Sequence, residues 1–389
     1  MKILLLGGGA VGYVISKYLL KDDAVSEIIC GDIDISRARK AMPLNDKITF
    51  KRVDISKADD VAKLAKDTDL IINAANYKFN LPVMKAAVKS GNNYLDLASH
   101  QNISPFKAEQ LFMHTKFVKA KITGLINAGI APGVSNLMAR ELADEFDSAD
   151  EIKIMLAELE KTNKPVSFWS PETYVEECGA KVPVLENGKF KLKEPLSDCE
   201  VYDFPPPIGK LNSCLVCQDE QITIPYFIKT KSVCVKNGGG DIGLFKELMR
   251  LGLFSDKPVR INNSQIIPKE FLLKLIPRTP SPKEMLRLIR DGVIEECRFS
   301  IVVEIRGRQN GGNKIKKIGM ISEPFKKITE RMPGTTYISY ITGVAAGIFA
   351  KNMDRINEYG VFPTEYFNTD ARSRIFKELK RNGIAVKKL

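Results

Sequence analysis

The chain has 389 residues and carries 59 Lys and Arg against 47 Asp and Glu, a formal net charge of +12. This length is sufficient for two domains, each with its own hydrophobic core. Hydrophobic residues at 44% and charged residues at 27% are typical of a soluble protein, and no apolar run reaches the roughly 18 residues of a membrane helix. Because the basic residues are spread along the chain, the charge does not indicate a nucleic-acid partner.

The start of the chain and its cysteines bear on its compartment. The first strand begins directly after Met1, which leaves no room for a signal peptide and favours a cytoplasmic protein. Seven cysteines, an odd and scattered set, agree with a reducing compartment. Cys214 and Cys217 have C-x-x-C spacing, but no second pair completes a zinc site, and the apolar residues between them indicate a buried strand. We therefore expect no metal centre.

The amino terminus carries the pattern of a dinucleotide-binding turn. An apolar strand, residues 3–6, runs into GGGAVG at residues 7–12, which fits G-x-G-x-x-G. The first glycine permits the tight turn, the second lets the backbone approach a pyrophosphate, and the third lets the helix pack on the sheet. The start of that helix offers free N–H groups to phosphates. The predicted cofactor-binding residues of this turn are Gly7, Gly9, Ala10, Val11 and Gly12.

A second apolar strand ends at Asp32, twenty residues after the last glycine of the turn. A carboxylate at this position can accept hydrogen bonds from the adenosine ribose and would repel a 2′-phosphate, so NAD is favoured over NADP. Arg37 and Arg39 follow closely, and either could turn toward a phosphate or belong to a solvated helix face. NADP therefore remains possible.

Strands and helices alternate along the first 127 residues. The predicted strands cover 48–53, 70–75, 94–97 and 123–127, and the predicted helices cover 58–66, 81–90 and 105–119. This alternation is typical of an α/β fold with a doubly wound parallel sheet of the Rossmann type. Ligands on such sheets gather at the carboxyl ends of the strands. This rule adds Asp54, Ala74 and Ala75 to the cofactor group and indicates Asn76, Tyr77, Lys78, Asp96, Ser99 and His100 as candidates near the reaction.

From about residue 150 the pattern changes to half-buried strands. Strands are predicted at 151–159, 214–224, 232–235, 299–306 and 314–321, the last two joined by a hairpin, with helices at 269–276 and 282–291. They predict a second, α+β domain on a mainly antiparallel sheet. A helix rich in Gly and Ala, residues 338–350, is expected to pack back on the first domain. The expected units are a dinucleotide-binding domain at 1–127, a substrate-binding domain at 128–335 and carboxyl-terminal helices at 336–389.

Several motifs, in this order, resemble the saccharopine dehydrogenase family, in particular its lysine 6-dehydrogenase-like members. The resemblance implies hydride transfer between NAD(P) and a carbon that bears an amine, through an imine, on substrates such as lysine, saccharopine or carboxynorspermidine. It also implies a Rossmann domain, a mixed second domain, a homodimer and a role for Pro132 at the cofactor. The motifs are the glycine turn, GIAPGVSN at 129–136, WSPE at 169–172, EQITIP at 220–225, the segment 334–343 and GVFPTE at 360–365.

The chain departs from the saccharopine reductases of this family. Their second motif reads D-P-G-x-x-H, whereas this chain has Ala131 and Asn136. Ala131 removes a carboxylate, which weakens a strict saccharopine assignment, and the A-P-G form resembles the lysine-dehydrogenase-like branch. Residues 76–80 resemble the family's P-Y-x-F-H, so Tyr77 matches its active-site tyrosine while Asn80 stands in place of the histidine.

Oxidation of an amine needs an acid–base group near the nicotinamide. Tyr77 and Lys78 follow a predicted strand beside the cofactor cleft, either as catalytic groups or as a wall tyrosine and an exposed lysine. Asp96 could bind the substrate amine or cap a turn. His100 lies just past that strand, as a catalytic group or as a polar loop residue, whereas His114 lies within a predicted helix and is interpreted as structural.

Five residues are candidates for substrate binding. Ser135 and Asn136 begin a helix whose N-terminus could bind a carboxylate, although Ser135 could be only its N-cap. Trp169 and Glu172 belong to a segment that suffices to start a helix, and the resemblance places it near the substrate. Gly239 lies in a glycine-rich loop that could close over the substrate.

These observations favour an NAD(P)-dependent dehydrogenase that acts on the C–N bond of a small amino-acid substrate of the lysine or saccharopine type. A carboxynorspermidine dehydrogenase-type enzyme is the alternative within the family. A non-catalytic Rossmann protein that senses the dinucleotide is the alternative outside it. Saccharopine carries three carboxylates, so a second-domain pocket lined by two or more arginines would favour it over lysine.

Overall fold

The computed structural model describes residues 1–43 and 45–389, and its first sheet is built from seven parallel strands. These strands are β1 (Lys2–Leu6), β2 (Glu27–Asp32), β3 (Ile48–Arg52), β4 (Leu70–Asn73), β5 (Asn93–Asp96), β6 (Thr123–Ile126) and β17 (Gly360–Pro363). Their spatial order is β17-β6-β5-β4-β1-β2-β3. The predicted Rossmann-type sheet is confirmed, and the strand order reverses beside β1, where such sheets bind ligands.

Helices cover both faces of this sheet. The predicted helix at 105–119 is wrong in its first part, because residues 109–113 form a 3₁₀ turn before the α-helix begins at His114. The helices of this half are α1 (Ala10–Leu19), α2 (Ile35–Ala41), α3 (Ala58–Ala65), α4 (Asn80–Ser90), α5 (His114–Ala120) and α6 (Val134–Ala143).

The second sheet has nine strands. They are β7 (Ser148–Thr162), β8 (Val182–Glu186), β9 (Lys189–Lys193), β10 (Glu200–Phe204), β11 (Gly209–Leu215), β12 (Ser232–Gly239), β15 (Ile294–Gln309), β16 (Gly312–Ser322) and β18 (Ile384–Lys388). The main path is β10-β11-β12-β7-β15-β16-β18, while β8 pairs with β12 and β9 with β8. All pairs are antiparallel except β7 with β12, so the mainly antiparallel second sheet is also confirmed.

The predicted strand at 214–224 is wrong beyond Leu215. There the chain leaves the sheet and forms a 3₁₀ turn over Asp219–Ile222, because this segment packs its polar side chains against the first domain. The helices and small hairpin of this half are α7 (Pro171–Gly179), α8 (Ile224–Phe227), α9 (Ile242–Arg250), β13 (Val259–Ile261), β14 (Ser264–Ile266), α10 (Pro268–Leu275), α11 (Pro282–Arg290) and α12 (Phe325–Arg331).

The carboxyl-terminal segment contributes to both sheets. Helix α13 (Tyr337–Lys351) packs against α1, where a Cβ on Gly343 would stand 2.5 Å from that of Val14, so only glycine permits this approach. Helix α14 (Thr369–Arg381) follows. This segment also contributes two short strands that were not predicted. Strand β17 lies at one edge of the first sheet, beside β6, and β18 pairs with β16 in the second sheet.

Strand β7 has two faces that alternate along its length. One face packs Ile152, Ile154 and Leu156 into the main core with α6 and α13, and it is the face turned toward the first domain. The other packs Met155 and Ala157 under the β10–β11 hairpin. The inward face carries the candidate site at its carboxyl end.

Cys199 and Cys214 form a disulfide where the pairing of β10 with β11 brings them together, although the scattered cysteines had been interpreted as typical of a reducing compartment. Cys217 is free and partly buried. Within residues 1–43 and 45–389, no helix combines the length and the apolar character that a bilayer crossing requires.

Candidate active site

The glycine turn between β1 and α1 has the open geometry of a phosphate-binding loop. Gly7 has φ +99°, and a Cβ there would stand 2.9 Å from the Ala75 nitrogen, so this position requires glycine. A Cβ on Gly12 would collide with the Gly7 carbonyl oxygen. Gly9 begins α1 and faces open space, with no atom within 4 Å of a Cβ built there. The first turn of α1, which includes Ala10 and Val11, thus presents its N–H groups to an open cradle that fits a pyrophosphate.

Asp32 lies at the end of β2 directly beside this turn. Its buried carboxylate accepts the N–H groups of Gly8 and Asp34, each at 2.9 Å. Each carboxylate oxygen can accept more than one hydrogen bond, so Asp32 can both fix the turn and receive a ribose hydroxyl. The Arg37 guanidinium lies 3.7 Å from the Asp32 carboxylate and is mostly exposed, so a cation also stands where a 2′-phosphate would lie.

The other predicted cofactor residues lie along the same edge of the sheet. Ala74 donates its N–H to the Leu6 carbonyl at 2.8 Å, which places the turn after β4 against the end of β1. Pro132 lies in the loop after β6, and its carbonyl accepts the Gly129 N–H at 3.1 Å. Asp54 follows β3 and is exposed, and hydrogen bonds from Ser56 lower the pKa of its carboxyl group.

Tyr77 and Lys78 lie in the 3₁₀ turn after β4 and contact the second domain. The Tyr77 hydroxyl donates to one carboxylate oxygen of Glu176, and the Lys78 Nζ lies 2.7 Å from the other. Glu176 belongs to α7, so a single carboxylate ties the cofactor side of the cleft to the second domain. Burial raises the pKa of Glu176.

His100 lies next to Tyr77 in the loop after β5. The two ring centroids are 5.4 Å apart, and His100 Nδ1 lies 3.5 Å from the buried Glu109 carboxylate. Burial, with the positive charge of Lys78, lowers the pKa of His100. Burial, with the negative charge of Asp96, raises the pKa of Glu109 to about 7. The two groups therefore lie within reach of each other next to the Tyr77 ring.

Asp96 is fully enclosed at the end of β5. Its carboxylate accepts from the Tyr94 hydroxyl at 2.9 Å, the Gln110 amide at 3.0 Å and the Asn127 N–H at 2.9 Å. Burial raises its pKa to about 7, and these hydrogen bonds act in the opposite sense. Its oxygens thus face protein groups beneath the cleft.

Ser135 and Asn136 are buried at the start of α6. The Ser135 hydroxyl donates to Glu220 at 2.5 Å, and the Asn136 amide donates to the Thr223 hydroxyl at 3.0 Å. The suggestion that Ser135 is only the N-cap is wrong, because Gly133 caps the helix and donates its N–H to the Asn136 side chain at 3.0 Å. Both residues therefore connect α6 to the segment after β11. Burial raises the pKa of Glu220 to about 7.

Two acids continue the inward face of β7. The alternation that buries Ile154 and Leu156 brings Glu158 and Glu160 to the same face at the carboxyl end of the strand. Tyr337 donates its hydroxyl to Glu160 at 2.7 Å. Burial raises the pKa of Glu158 to about 7, and burial with the negative charge of Glu158 raises that of Glu160 well above its ordinary value.

Two further acids lie between β7 and the first domain. Glu177 on α7 accepts from the Gln218 amide at 2.6 Å, and Asp219 accepts the Ser99 N–H at 2.7 Å. Both side chains are only partly enclosed, yet burial raises the pKa of Asp219 to about 8 and that of Glu177 well above its usual range. Solvent-accessible carboxylates with such shifts are typical of a cleft.

The predicted substrate residues of the second domain lie at different distances from these acids. Trp169 packs on Tyr174 with ring centroids 4.6 Å apart, next to the acids of β7. Gly239 has φ +78°, and its loop lies directly on the Glu158 backbone. Glu172 is exposed on the first turn of α7, where its carboxylate accepts from the Ser170 hydroxyl at 3.0 Å. Glu172 is thus oriented toward the cap of its own helix.

Five acids of the cleft, Glu158, Glu160, Glu177, Asp219 and Glu220, have uncharged hydrogen-bond partners. In the part of the chain that the structure describes, these partners are the Asn237 amide, the Tyr337 hydroxyl, the Gln218 amide, the Ser99 N–H and the Ser135 hydroxyl. Within the described residues, no group of three His, Cys, Asp or Glu side chains is arranged to hold a metal ion. The cleft is therefore suited to an organic cation.

Sequence reasoning missed Glu158, Glu160, Glu176, Glu177 and Asp219. A signal for the first two existed, because they stand in phase with the apolar residues of β7, and an acid on a buried face needs a reason. Glu177 stands three residues after Tyr174, on the same face of α7. Nothing local distinguishes Asp219, whose partner Ser99 lies 120 residues earlier.

Two family models together match most of the chain. The saccharopine dehydrogenase NADP-binding domain matches residues 3–125, and the saccharopine dehydrogenase carboxyl-terminal domain matches residues 129–384. The chain belongs to the saccharopine dehydrogenase family. It is an NAD(P)-binding oxidoreductase of the class that acts on CH–NH donors.

Named members of the saccharopine dehydrogenase family are similar along nearly the whole chain. Carboxynorspermidine synthase of Vibrio cholerae is 25% identical over 95% of this chain and 93% of its own. Carboxyaminopropylagmatine dehydrogenase of Synechocystis is also 25% identical, over 95% and 93%. The solved L-Glu-forming saccharopine dehydrogenase of Saccharomyces cerevisiae has the same fold, with TM-score 0.69, 15% identity and coverage of 100% and 99%.

Proposed function

We propose that this protein is an NAD(P)H-dependent reductase that joins a cationic amine to an amino-acid semialdehyde and yields a carboxylated polyamine. The observation that carries this proposal is the set of acids in the cleft, whose hydrogen-bond partners in the described part of the chain are uncharged groups. A lone buried carboxylate is costly unless a counter-charge arrives. In a chain of net charge +12, this negative region is a specific feature.

The named relatives differ in the charge of the amine that takes part in their reactions. Opening the C–N bond of carboxynorspermidine as an imine gives 1,3-diaminopropane and aspartate semialdehyde, and carboxyaminopropylagmatine gives agmatine and the same aldehyde. Both amines are dications. The amine partner in L-Glu-forming saccharopine dehydrogenase is glutamate, an anion, which would meet repulsion here. No arginine is among the hydrogen-bond partners of these acids in the described residues, which further favours the carboxynorspermidine type over saccharopine.

The residues at the edge of the first sheet fit the roles that such a reaction needs. The dinucleotide, when bound, supplies the hydride that forms the new C–H bond at the imine carbon. The imine nitrogen takes the C=N π electrons and needs one proton. His100 and Glu109, next to Tyr77, are placed to hold that proton, and Asp32 and the first turn of α1 hold the adenosine and pyrophosphate.

Absorbance of the reduced nicotinamide tests this proposal. The purified protein is mixed with NADPH or NADH, aspartate semialdehyde and either 1,3-diaminopropane or agmatine, and we expect steady oxidation of the coenzyme. Lysine and saccharopine are assayed with the oxidised coenzymes in parallel. Faster turnover of lysine or saccharopine than of any diamine mixture would contradict the proposal and restore the amino-acid dehydrogenase alternative.

A further inference from the structure

A compact group of hydrogen-bond acceptors lies at the carboxyl ends of the neighbouring parallel strands β7 and β12. We call it the acceptor pocket. The Asn237 amide donates to Glu158 Oε1 at 3.0 Å, and the Tyr337 hydroxyl donates to Glu160 at 2.7 Å and lies 3.5 Å from Glu158 Oε2. Tyr174 closes the other side. The acceptor pocket consists of Glu158, Glu160, Tyr174, Asn237 and Tyr337.

Two buried polar atoms of the acceptor pocket have no partner within the described residues. They are Asn237 Oδ1 and the Tyr174 hydroxyl, on side chains that are 4% and 9% exposed. A Cβ on Gly240 would stand 3.2 Å from that hydroxyl and 3.4 Å from Glu158 Oε2, so both groups border the same loop. Asn237 Oδ1 can only accept a hydrogen bond, and it is costly to leave such a buried acceptor without a donor.

The number and type of these acceptors define the missing group. Asn237 Oδ1 can only accept, and Glu158 and Glu160 add further acceptors when they are ionised, so a group with several N–H donors and a positive charge fits these atoms. A primary ammonium group carries three donors and no acceptor. A metal ion fits poorly, since no set of three His, Cys, Asp or Glu side chains in residues 1–43 and 45–389 is arranged to ligate one.

Further acids connect the acceptor pocket to the cofactor edge. Tyr174 and Glu177 stand three residues apart on α7, and Glu177 bonds Gln218, whose neighbour Asp219 accepts the Ser99 N–H after β5. A diamine in this cleft would therefore meet carboxylates of the second domain. One of its nitrogens would then react while another remains an ammonium group at the far end.

We propose that the acceptor pocket binds the distal primary ammonium group of the diamine whose other nitrogen forms the imine. This inference rests on the proposed function, because it assigns the second cation of that substrate. Amines without the distal group leave Asn237 Oδ1 without a donor and Glu158 without a counter-charge. With 1,3-diaminopropane replaced by propylamine, we therefore expect kcat/KM to fall by about a hundredfold, in line with hydrogen bonds to charged groups.

Steady-state rates with aspartate semialdehyde and NADPH test the pocket. In the wild type we expect the large preference for 1,3-diaminopropane over propylamine, and in Glu158→Gln we expect the preference to shrink below about tenfold. Glu186→Gln removes a half-buried, lysine-paired carboxylate of β8 and is the matched control that should leave the preference unchanged.

The possible results distinguish a failure of the acceptor pocket from a failure of the proposed function. If the wild type uses both amines equally well, the acceptor pocket does not bind the distal ammonium group, while the proposed function still stands. This comparison uses the wild type alone and does not depend on the folding of a variant. If no amine is turned over, the proposed function fails, and calorimetric titration of 1,3-diaminopropane into the NADP-loaded protein then decides the pocket. Binding by the wild type that is lost in Asn237→Ala supports it, while equal binding or none overturns it.

Discussion

The Lys78 ammonium group lies 2.7 Å from the Glu176 carboxylate, and the Tyr77 hydroxyl donates to the same carboxylate. The lysine and tyrosine follow β4 of the first sheet, whereas Glu176 lies on α7 of the second domain. The next residue of α7, Glu177, is turned to the acids of the cleft. Helix α7 therefore contacts the turn after β4 through Glu176 and contributes Glu177 to the acids of the cleft.

Glu176→Gln should lower kcat with little effect on stability. The amide still accepts from Tyr77 but no longer attracts Lys78, so the turn loses part of its orientation. Because Lys78 is half exposed, the lost ion pair is worth about 1 kcal/mol or less in the free energy of unfolding. We expect a kcat reduced about tenfold and a melting temperature within a few degrees of the wild type. An unchanged kcat would remove Glu176 from the reaction.

Asp32→Asn should change the choice between the two coenzymes. Loss of the charge weakens the hydrogen bond to the ribose, which costs about 1.5–3 kcal/mol or a ten- to hundredfold rise in Kd for NAD. NADP should be affected far less, since the repulsion of its 2′-phosphate also disappears while Arg37 remains. Calorimetric titration with NAD and NADP measures both constants. If the affinities for NAD and NADP fall equally, Asp32 only holds the conformation of the glycine turn and does not distinguish the two coenzymes.

Asp96→Asn should flatten the dependence of stability on pH. Burial raises the pKa of Asp96 to about 7, against roughly 4 in an unfolded chain, so the folded protein holds a proton that the unfolded chain releases. This contribution is fully present below pH 4 and is lost as the pH rises through about 7. Between pH 5 and 8 the free energy of unfolding of the variant should therefore fall less than that of the wild type, by an amount on the order of 2 kcal/mol.

Urea unfolding at each pH measures this difference. Asp54→Asn is the control, because Asp54 is exposed and its pKa is lowered, so its effect on stability has the opposite sign and lies at lower pH. Parallel curves for the wild type and Asp96→Asn would show that Asp96 ionises in the folded protein as it does in the unfolded chain.

The parts of the site that come from one stretch of chain were predictable from sequence. The strand, glycine turn, helix and Asp32 are set by local backbone requirements, such as the positive φ of Gly7 and the collision that a Cβ on Gly12 would cause. The alternation of β7 was also visible. The same alternation places Glu158 on the buried face. Glu158 was nevertheless not predicted as a site residue, because an acid at the end of a predicted strand is usually exposed.

The parts that depend on pairing between distant segments were not predictable. Tyr77 meets Glu176 across 99 residues, and Asp219 meets Ser99 across 120. The short strand β17 pairs with β6 only because α13 first returns the chain to α1. Such contacts follow from the docking of the two sheets, and neither partner carries a local pattern that names the other.

The affinity for a diamine should rise with pH across neutrality. A carboxylate must be ionised to attract an ammonium group, and burial raises the pKa of Glu158 to about 7 and that of Asp219 to about 8. Between pH 6 and 8 the KM for 1,3-diaminopropane should therefore fall, by up to about tenfold per pH unit below the pKa of each carboxylate whose ionisation binding requires. Asp219→Asn should make this fall shallower above pH 7. The KM for NADH, measured in the same runs, is the control, and a diamine KM that is flat or rises over this range would show that these carboxylates do not bind the amine.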